Sequence, residues 1–268
     1  MLELEHIYLS YKSKGQAVPV LRDFSLQVEK GTVLTLLGSS GCGKSTLIQL
    51  LAGMLHPQQG SMTWNANGIA SPMDPKACKI AVIPQNGGLL PWKTLRENCL
   101  LPFKLRHQPV RTHETEKLRI LCEALEISPL LNRYPRELSG GQIQRGALAR
   151  AFLQEPDILL MDEPFAALDV LTKEDAWEIF LKVWGNKQPV TLLTTHNIEE
   201  ALYLGSHIAV LDPMEGHLTL LEKNPFFSAM QPQETDYFTL SQKLRSRLKS
   251  TEPDADAKCA PQPERTAQ

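Results

Sequence analysis

The amino-acid sequence predicts an α/β fold with a mainly parallel central sheet. Continuous apolar runs alternate with segments of helical periodicity, as expected for parallel strands covered on both faces. The predicted strands are 32–37, 80–85, 157–162, 190–196 and 207–212, and the predicted helices are 47–52, 113–126, 142–154, 170–184 and 198–204. A glycine-rich stretch, Gly38–Thr46, lies between the first of these strands and the first helix. Together these features predict the fold of a P-loop NTPase.

Smaller features flank this core. Residues 2–10 and 21–28 alternate between apolar and polar side chains, which predicts an N-terminal antiparallel β subdomain with a loop at 12–19 and a short strand at 61–64. From about residue 87 to 150, helical segments interrupted by prolines predict a mostly helical insertion. We therefore expect a main domain over residues 1–221.

The C-terminal part has a different composition. Residues 222–248 are expected to form an extension, in which a helix over 234–248 carries a basic face. Such a face is either solvated or in contact with membrane lipid. Residues 249–268 are polar and contain prolines, which predicts a disordered tail.

The composition is that of a globular protein. Hydrophobic residues make up 42% of the chain and charged residues 22%, and the net charge of -2 gives no general attraction to nucleic acid. Five scattered cysteines, an odd number, favour reduced thiols in a cytosolic protein. The first residues do not resemble a signal peptide, and no apolar run reaches ~20 residues, so any membrane role is expected to need a partner.

The glycine-rich stretch matches the pattern G-x-x-x-x-G-K-[ST]. Glycines let the backbone approach an anion closely, and the amide N–H groups at the start of the following helix then face phosphates. Lys44 is predicted to reach the β- and γ-phosphates, and the Ser45 hydroxyl to bind Mg²⁺. The predicted nucleotide-binding residues of this phosphate loop are Gly38, Ser39, Ser40, Gly41, Cys42, Gly43, Lys44, Ser45 and Thr46.

A second motif, Leu138–Gln142 with the sequence LSGGQ, opens another predicted helix. Its residues Ser139, Gly140, Gly141 and Gln142 could form an ordinary serine N-cap, or a second anion site at a bare helix N-terminus. The apolar strand that follows this helix ends in Asp162–Glu163. An acidic pair at a strand end can be a solvated turn or a helix cap, and beside a phosphate loop it is suited to binding Mg²⁺ and activating water.

In this order, the motifs resemble those of the ATP-binding cassette ATPases, over about residues 1–220. The resemblance implies that Tyr11 stacks on adenine, although Tyr8 and Tyr11 could equally pack within a strand. It assigns Gln85 to the Q-loop, Leu138–Gln142 to the signature segment, Ala167–Asp169 to the D-loop and His196 to the switch histidine.

The resemblance also implies a mechanism. Asp162, Ser45 and Gln85 would bind Mg²⁺, Glu163 would polarise the attacking water, and His196 would contact the γ-phosphate. In that family two copies pair head to tail, so that each ATP lies between the phosphate loop of one copy and the signature segment of the other. Asp169 would communicate across this dimer, and a single copy should turn over ATP poorly.

Residues 85–99, 161–169 and 195–201 look like those of the nitrate/sulfonate/taurine importer group. This resemblance implies a second copy and transmembrane permease subunits as partners, with a solute-binding protein involved indirectly and no nucleic acid. The subunit would be peripheral, on the cytoplasmic face of the inner membrane. Leu89–Trp92 would contact the permease, unless Trp92 packs in the core. The solute stays open, because the group also carries bicarbonate, aromatic sulfonates and thiamine precursors.

Two other functions compete. A soluble cassette ATPase acting on nucleic acid or ribosomes would favour a second cassette, a long coiled coil or a basic surface, none of which the sequence shows. A phosphate-loop kinase or nucleotide switch would leave the LSGGQ motif unexplained.

Overall fold

The computed structural model describes residues 1–13, 16–66, 68–73, 78–212, 216–229 and 235–250. The strands are β1 (Leu2–Ser13), β2 (Gln16–Val28), β3 (Val33–Leu37), β4 (Gln59–Ala66), β5 (Ile69–Pro72), β6 (Ile80–Ile83), β7 (Ile158–Asp162), β8 (Val190–Thr195), β9 (His207–Leu211) and β10 (Leu218–Lys223). The α-helices are α1 (Lys44–Leu51), α2 (Leu95–Leu105), α3 (Thr112–Ala124), α4 (Gly140–Leu153), α5 (Val170–Trp184), α6 (Ile198–Leu204) and α7 (Thr235–Ser250). Within these ranges, no helix is both long enough and apolar enough to cross a bilayer.

The strands form two sheets. The six-stranded sheet has the order β10-β9-β3-β8-β7-β6, and all its neighbours pair in parallel except β10, which is antiparallel to β9. The four-stranded sheet, β2-β1-β4-β5, is antiparallel throughout. The predicted parallel core and N-terminal antiparallel subdomain are therefore confirmed.

The parallel sheet separates two apolar layers. Alternate residues of β7 point to opposite faces, so Ile158 and Leu160 pack with α1 and the antiparallel sheet, whereas Leu159 and Met161 pack with α2 to α5. As a result α1, which follows the phosphate loop, and α4, which follows the signature segment, lie on opposite faces of the sheet.

Several predicted boundaries are wrong for identifiable reasons. Most of the predicted loop at 12–19 is strand, because β1 and β2 stay paired up to Ser13 and Gln16. Pro19 is tolerated there because β2 is an edge strand. Pro102 lies inside α2 rather than at its end. The short strand β5 and the edge strand β10 were not predicted, since neither has a long apolar run.

The predicted C-terminal helix is present as α7. Its Leu244 side chain is buried in an apolar cluster with residues of α6 and β9. Lys249 and Ser250, assigned to the tail from the sequence, belong to this helix. Residues 251–268, the rest of that predicted tail, lie outside the described residues. The domain boundary after residue 221 stays a prediction, and β10 crosses it.

Candidate functional site

Four predicted site segments meet at one edge of the parallel sheet. The phosphate loop follows β3, His196 follows β8, Asp162 ends β7, and Gln85 comes shortly after β6. These four strands are neighbours in the order β3-β8-β7-β6. Because carboxyl ends of parallel strands lie at the same edge, the sheet order brings the segments together.

The phosphate loop is curled around the Lys44 side chain, which is only 5% exposed. Its Nζ donates to the carbonyl oxygens of Gly38 at 2.8 Å and Ser39 at 3.0 Å. Gly43 has a φ of +109°, which favours glycine. A Cβ atom added at Gly38 would lie 2.4 Å from Cys42 Sγ. Gly38 is therefore needed for close packing and Gly43 for its backbone conformation.

Glu163 is held between this loop and the switch histidine. Its Oε1 lies 3.3 Å from Lys44 Nζ, and its Oε2 lies 3.0 Å from His196 Nδ1. The backbone of Glu163 has a φ of +45°, an unfavourable value for a residue with a side chain. Strain of this kind is concentrated at functional sites, where the surrounding structure enforces it.

Thr194 holds the Glu163 backbone in this conformation. It was not predicted as a site residue from the sequence. The Glu163 N–H donates to the Thr194 carbonyl oxygen at 3.1 Å and to its Oγ1 at 3.0 Å. The same hydroxyl donates to Asp162 Oδ1 at 2.8 Å. Thr194 is one of three threonines in β8, so the local sequence gave no signal that distinguished it. Thr194 thus fixes both acidic residues at the end of β7.

The other predicted residues are less tightly connected. Ser45 is half-buried in the first turn of α1, and Gln85 is exposed on a turn. The Tyr11 hydroxyl lies 3.4 Å from Thr46 Oγ1, and the side chain is 40% exposed. Tyr11 is therefore beside the phosphate loop and accessible, whereas its stacking on adenine stays a prediction.

The signature segment is not part of this cluster. Ser139 caps α4 with a capping box, in which its Oγ accepts from the Gln142 N–H at 3.3 Å and its own N–H donates to Gln142 Oε1 at 3.0 Å. Ser139 and Gly140 are exposed, and α4 packs on the face of the sheet opposite α1. Within one chain, the structure does not bring the signature segment to the phosphate loop.

A buried carboxyl group lies in the first turn of α6, the helix that follows the switch histidine. Glu200, in the first turn of α6, is 2% exposed, and its Oε1 has no hydrogen-bond partner among the described residues. Desolvation raises the pKa of Glu200 to about 8, against opposing effects of a Thr195 hydrogen bond and the Lys173 charge. This carboxyl is therefore largely protonated at neutral pH.

Comparisons with known proteins agree with this geometry. The profile of the ABC transporter family matches residues 21–166. The aliphatic sulfonates import ATP-binding protein SsuB of Bacillus subtilis is 35% identical over 245 residues, which cover 91% of this chain and 92% of that protein. The taurine import ATP-binding protein TauB of Escherichia coli is 36% identical and covers 84% of each chain.

A solved structure gives the same result for the fold. The dimeric, post-hydrolysis structure of the ATP-binding cassette MJ0796 bound to ADP and Pi superposes with a TM-score of 0.71 at 27% identity. The match covers 83% of this chain and 98% of that one.

The fold and the glycine-rich loop beside an acidic strand end define a P-loop NTPase. Within that class, the chain belongs to the ABC transporter family, with the fold of its ATP-binding cassettes.

Proposed function

We propose that this chain is the ATP-hydrolysing subunit of an importer for small sulfonates. The arrangement that carries this proposal is the Glu163 carboxylate held between Lys44 and His196 at the phosphate loop. It puts a carboxylate, a cation and an imidazole beside the place where the γ-phosphate of a bound nucleotide would lie. The chain is therefore an ATPase of the ABC family, and the roles of its residues follow from their positions.

The phosphate loop binds the nucleotide. Its N–H groups and the N-terminus of α1 face the phosphates. The Lys44 ammonium, which donates to two loop carbonyl oxygens, would bind the phosphates instead. The hydroxyl of Ser45 and the carboxylate of Asp162 are hard oxygen ligands that suit Mg²⁺, and Gln85 could add a carbonyl oxygen. Mg²⁺ would neutralise charge on the phosphates.

Glu163 polarises the water that attacks the γ-phosphate, and His196 orients it. The Lys44 ammonium lies 3.3 Å from Glu163 Oε1. The phosphates of ATP compete for this ammonium, which leaves the carboxylate available for the water. The same contact thus links nucleotide binding to activation of the base.

A second copy completes the site. Ser139–Gln142 lies on the opposite face of the sheet from α1 and is exposed at Ser139 and Gly140. It can therefore reach a nucleotide only in another chain. In the head-to-tail arrangement, ATP is bound between unlike surfaces, and its hydrolysis weakens the dimer. The MJ0796 cassette, whose ADP- and Pi-bound structure is dimeric, supports the pairing of two copies.

The relatives support import as the work that hydrolysis drives. Two relatives that match over most of their length are named for import of aliphatic sulfonates and of taurine. We infer transmembrane permease subunits as partners, a solute-binding protein that acts through them, and a peripheral position on the cytoplasmic face of the inner membrane. The soluble cassette alternative is not favoured, since these relatives are importer subunits.

The test is replacement of the proposed base. Glu163→Gln should retain ATP binding, lower kcat by a factor of about 10³, as expected for loss of a general base, and accumulate an ATP-bound dimer. Glu178→Gln, an exposed carboxylate of α5, is the matched control. Normal turnover in Glu163→Gln would remove Glu163 as the base. The absence of ATP hydrolysis in the wild type would contradict the function itself.

A further inference from the structure

The D-loop (Ala167–Asp169) and the signature segment meet at the starts of α5 and α4. Asp169 is the N-cap of α5, and its carboxylate accepts from the Thr172 N–H at 3.1 Å and from the Thr172 hydroxyl at 2.7 Å. The hydroxyl bond is short, as expected for a donor facing a charged acceptor. One side chain, Thr172, thus fixes the carboxylate that ends the D-loop.

The other side of Thr172 faces the signature segment. A Cβ atom added at Gly141 would lie 2.7 Å from Thr172 Cγ2, which is closer than real Cβ contacts allow. The Thr172 methyl therefore occupies the space left by the missing Gly141 side chain. A Cβ at Gly140 would lie 3.4 Å from Leu168 Cδ2, so the D-loop packs alongside the same helix start.

We propose that Thr172 is a positioning residue that locks the D-loop to the signature segment. Its hydroxyl fixes Asp169 and its methyl fills the notch at Gly141, so the two segments form one rigid surface. The inference rests on the proposed function, in which the second copy's nucleotide contacts this surface. Thr172 does not touch the nucleotide itself.

A rigid contact between the D-loop and the signature segment should favour dimerisation, because both segments act across the dimer. Two loops that moved independently would have to be ordered separately when the dimer closes, and each ordering step costs conformational entropy. A single preordered surface avoids part of this cost. Loss of the contact between these two segments should therefore weaken ATP-driven dimerisation. It should not change nucleotide binding to one chain, which depends on the phosphate loop and the strand ends beside it.

Two substitutions separate the functions of the side chain. Thr172→Val keeps the branched shape and the backbone N–H bond to Asp169 but removes the hydroxyl bond, whereas Thr172→Ser keeps the hydroxyl and removes the methyl. In a Glu163→Gln background, Thr172→Val should weaken ATP-dependent dimerisation about tenfold, the value of one hydrogen bond to a charged group. ATP binding to the monomer should be unchanged. Thr239→Val, an exposed threonine of α7, is the control.

A reciprocal pair tests the contact with Gly141. Gly141→Ala alone should weaken dimerisation, because its methyl group collides with Thr172 Cγ2. Gly141→Ala combined with Thr172→Ser should recover about tenfold relative to Gly141→Ala, since the colliding methyl is gone.

The outcomes distinguish the two proposals. Dimerisation of Thr172→Val equal to that of the Glu163→Gln parent, or a double variant no better than Gly141→Ala, would overturn the positioning role while ATP hydrolysis by the wild type upheld the proposed function. A wild type that neither hydrolyses ATP nor dimerises with it would overturn the proposed function and this inference together.

Discussion

The phosphate loop and the signature segment are both glycine-containing turns that open a helix, yet their environments differ. Lys44 in the first is buried and already bonded to two carbonyls and to Glu163. Ser139 in the second is exposed and bonded within its own capping box. The side chains of the first site contact one another within one chain, whereas the signature segment is exposed and away from that cluster. We therefore propose that one copy is enough for nucleotide affinity and that turnover needs two.

The largest expected effect is on ATP hydrolysis when the phosphate loop is inactivated in one chain and the signature segment in another. Lys44→Ala should lose ATP binding, because the phosphates lose a buried cation, and Ser139→Arg should retain binding but lose hydrolysis. Mixing the two inactive variants should restore part of the hydrolysis, since one site of the mixed dimer pairs an intact phosphate loop with an intact signature segment. Steady-state hydrolysis of the mixture and of each variant alone is the measurement.

Failure of the mixture to hydrolyse ATP, with mixed dimers demonstrated by cross-linking, would break the comparison between the two regions. Hydrolysis by Ser139→Arg alone at the wild-type rate would do the same, because the signature segment would then be dispensable.

An effect of intermediate size is expected of pH on the free energy of unfolding. The pKa of Glu200 is raised from its usual 4.5 to about 8 by burial, so the unfolded chain loses this proton at lower pH than the folded chain. The contribution of Glu200 to the free energy of unfolding is fully present below about pH 4.5 and is lost as the pH rises toward 8. Glu200→Gln should reduce this loss by a few kcal/mol, since each pKa unit is worth about 1.4 kcal/mol. Chemical denaturation between pH 5 and 8 measures it.

Glu199→Gln, an exposed neighbour on α6, is the control for that series. Equal pH slopes for the wild type and Glu200→Gln would contradict the burial argument. A smaller dependence of stability on pH in Glu200→Gln would sharpen the comparison, because it would locate the pH response at the buried start of α6 rather than at the exposed signature segment.

The smallest effect is expected at Tyr11. Tyr11→Phe removes only a long contact with Thr46 and should change ATP affinity less than about threefold. Tyr11→Ala should lower it about tenfold if the ring stacks on adenine, since stacking on a base contributes about 1–3 kcal/mol. Tyr8→Ala is the control, and nucleotide titration of the monomer is the measurement. Equal affinities for Tyr11→Ala and Tyr8→Ala would favour the strand-packing alternative.

Most of the fold was predictable because its signals are local. The apolar runs of β3, β7, β8 and β9 and the periodicity of α4, α5 and α6 are contained in short windows. The predictions failed where pairing overrode local composition, as at residues 12–19, or where a short edge strand such as β10 carried no clear pattern. A continuous apolar run or a clear alternation makes a strand readable even at a sheet edge, as in β6 and β2, whereas β10 has neither.

By itself, the sequence determined which chemical groups this protein has and which secondary structure each follows: a phosphate loop after a strand, an acidic pair at a strand end, and a serine-capped glycine pair at a helix start. The tertiary structure decided which of them meet. Glu163 bridges Lys44 and His196 because β7, β8 and β3 are neighbours in the sheet, although they are far apart in the chain. The contact between Gly141 and Thr172, and the separation of the two helix starts by the sheet, arise in the same way. Strand order and layer packing depend on contacts between distant segments, and no local pattern records them.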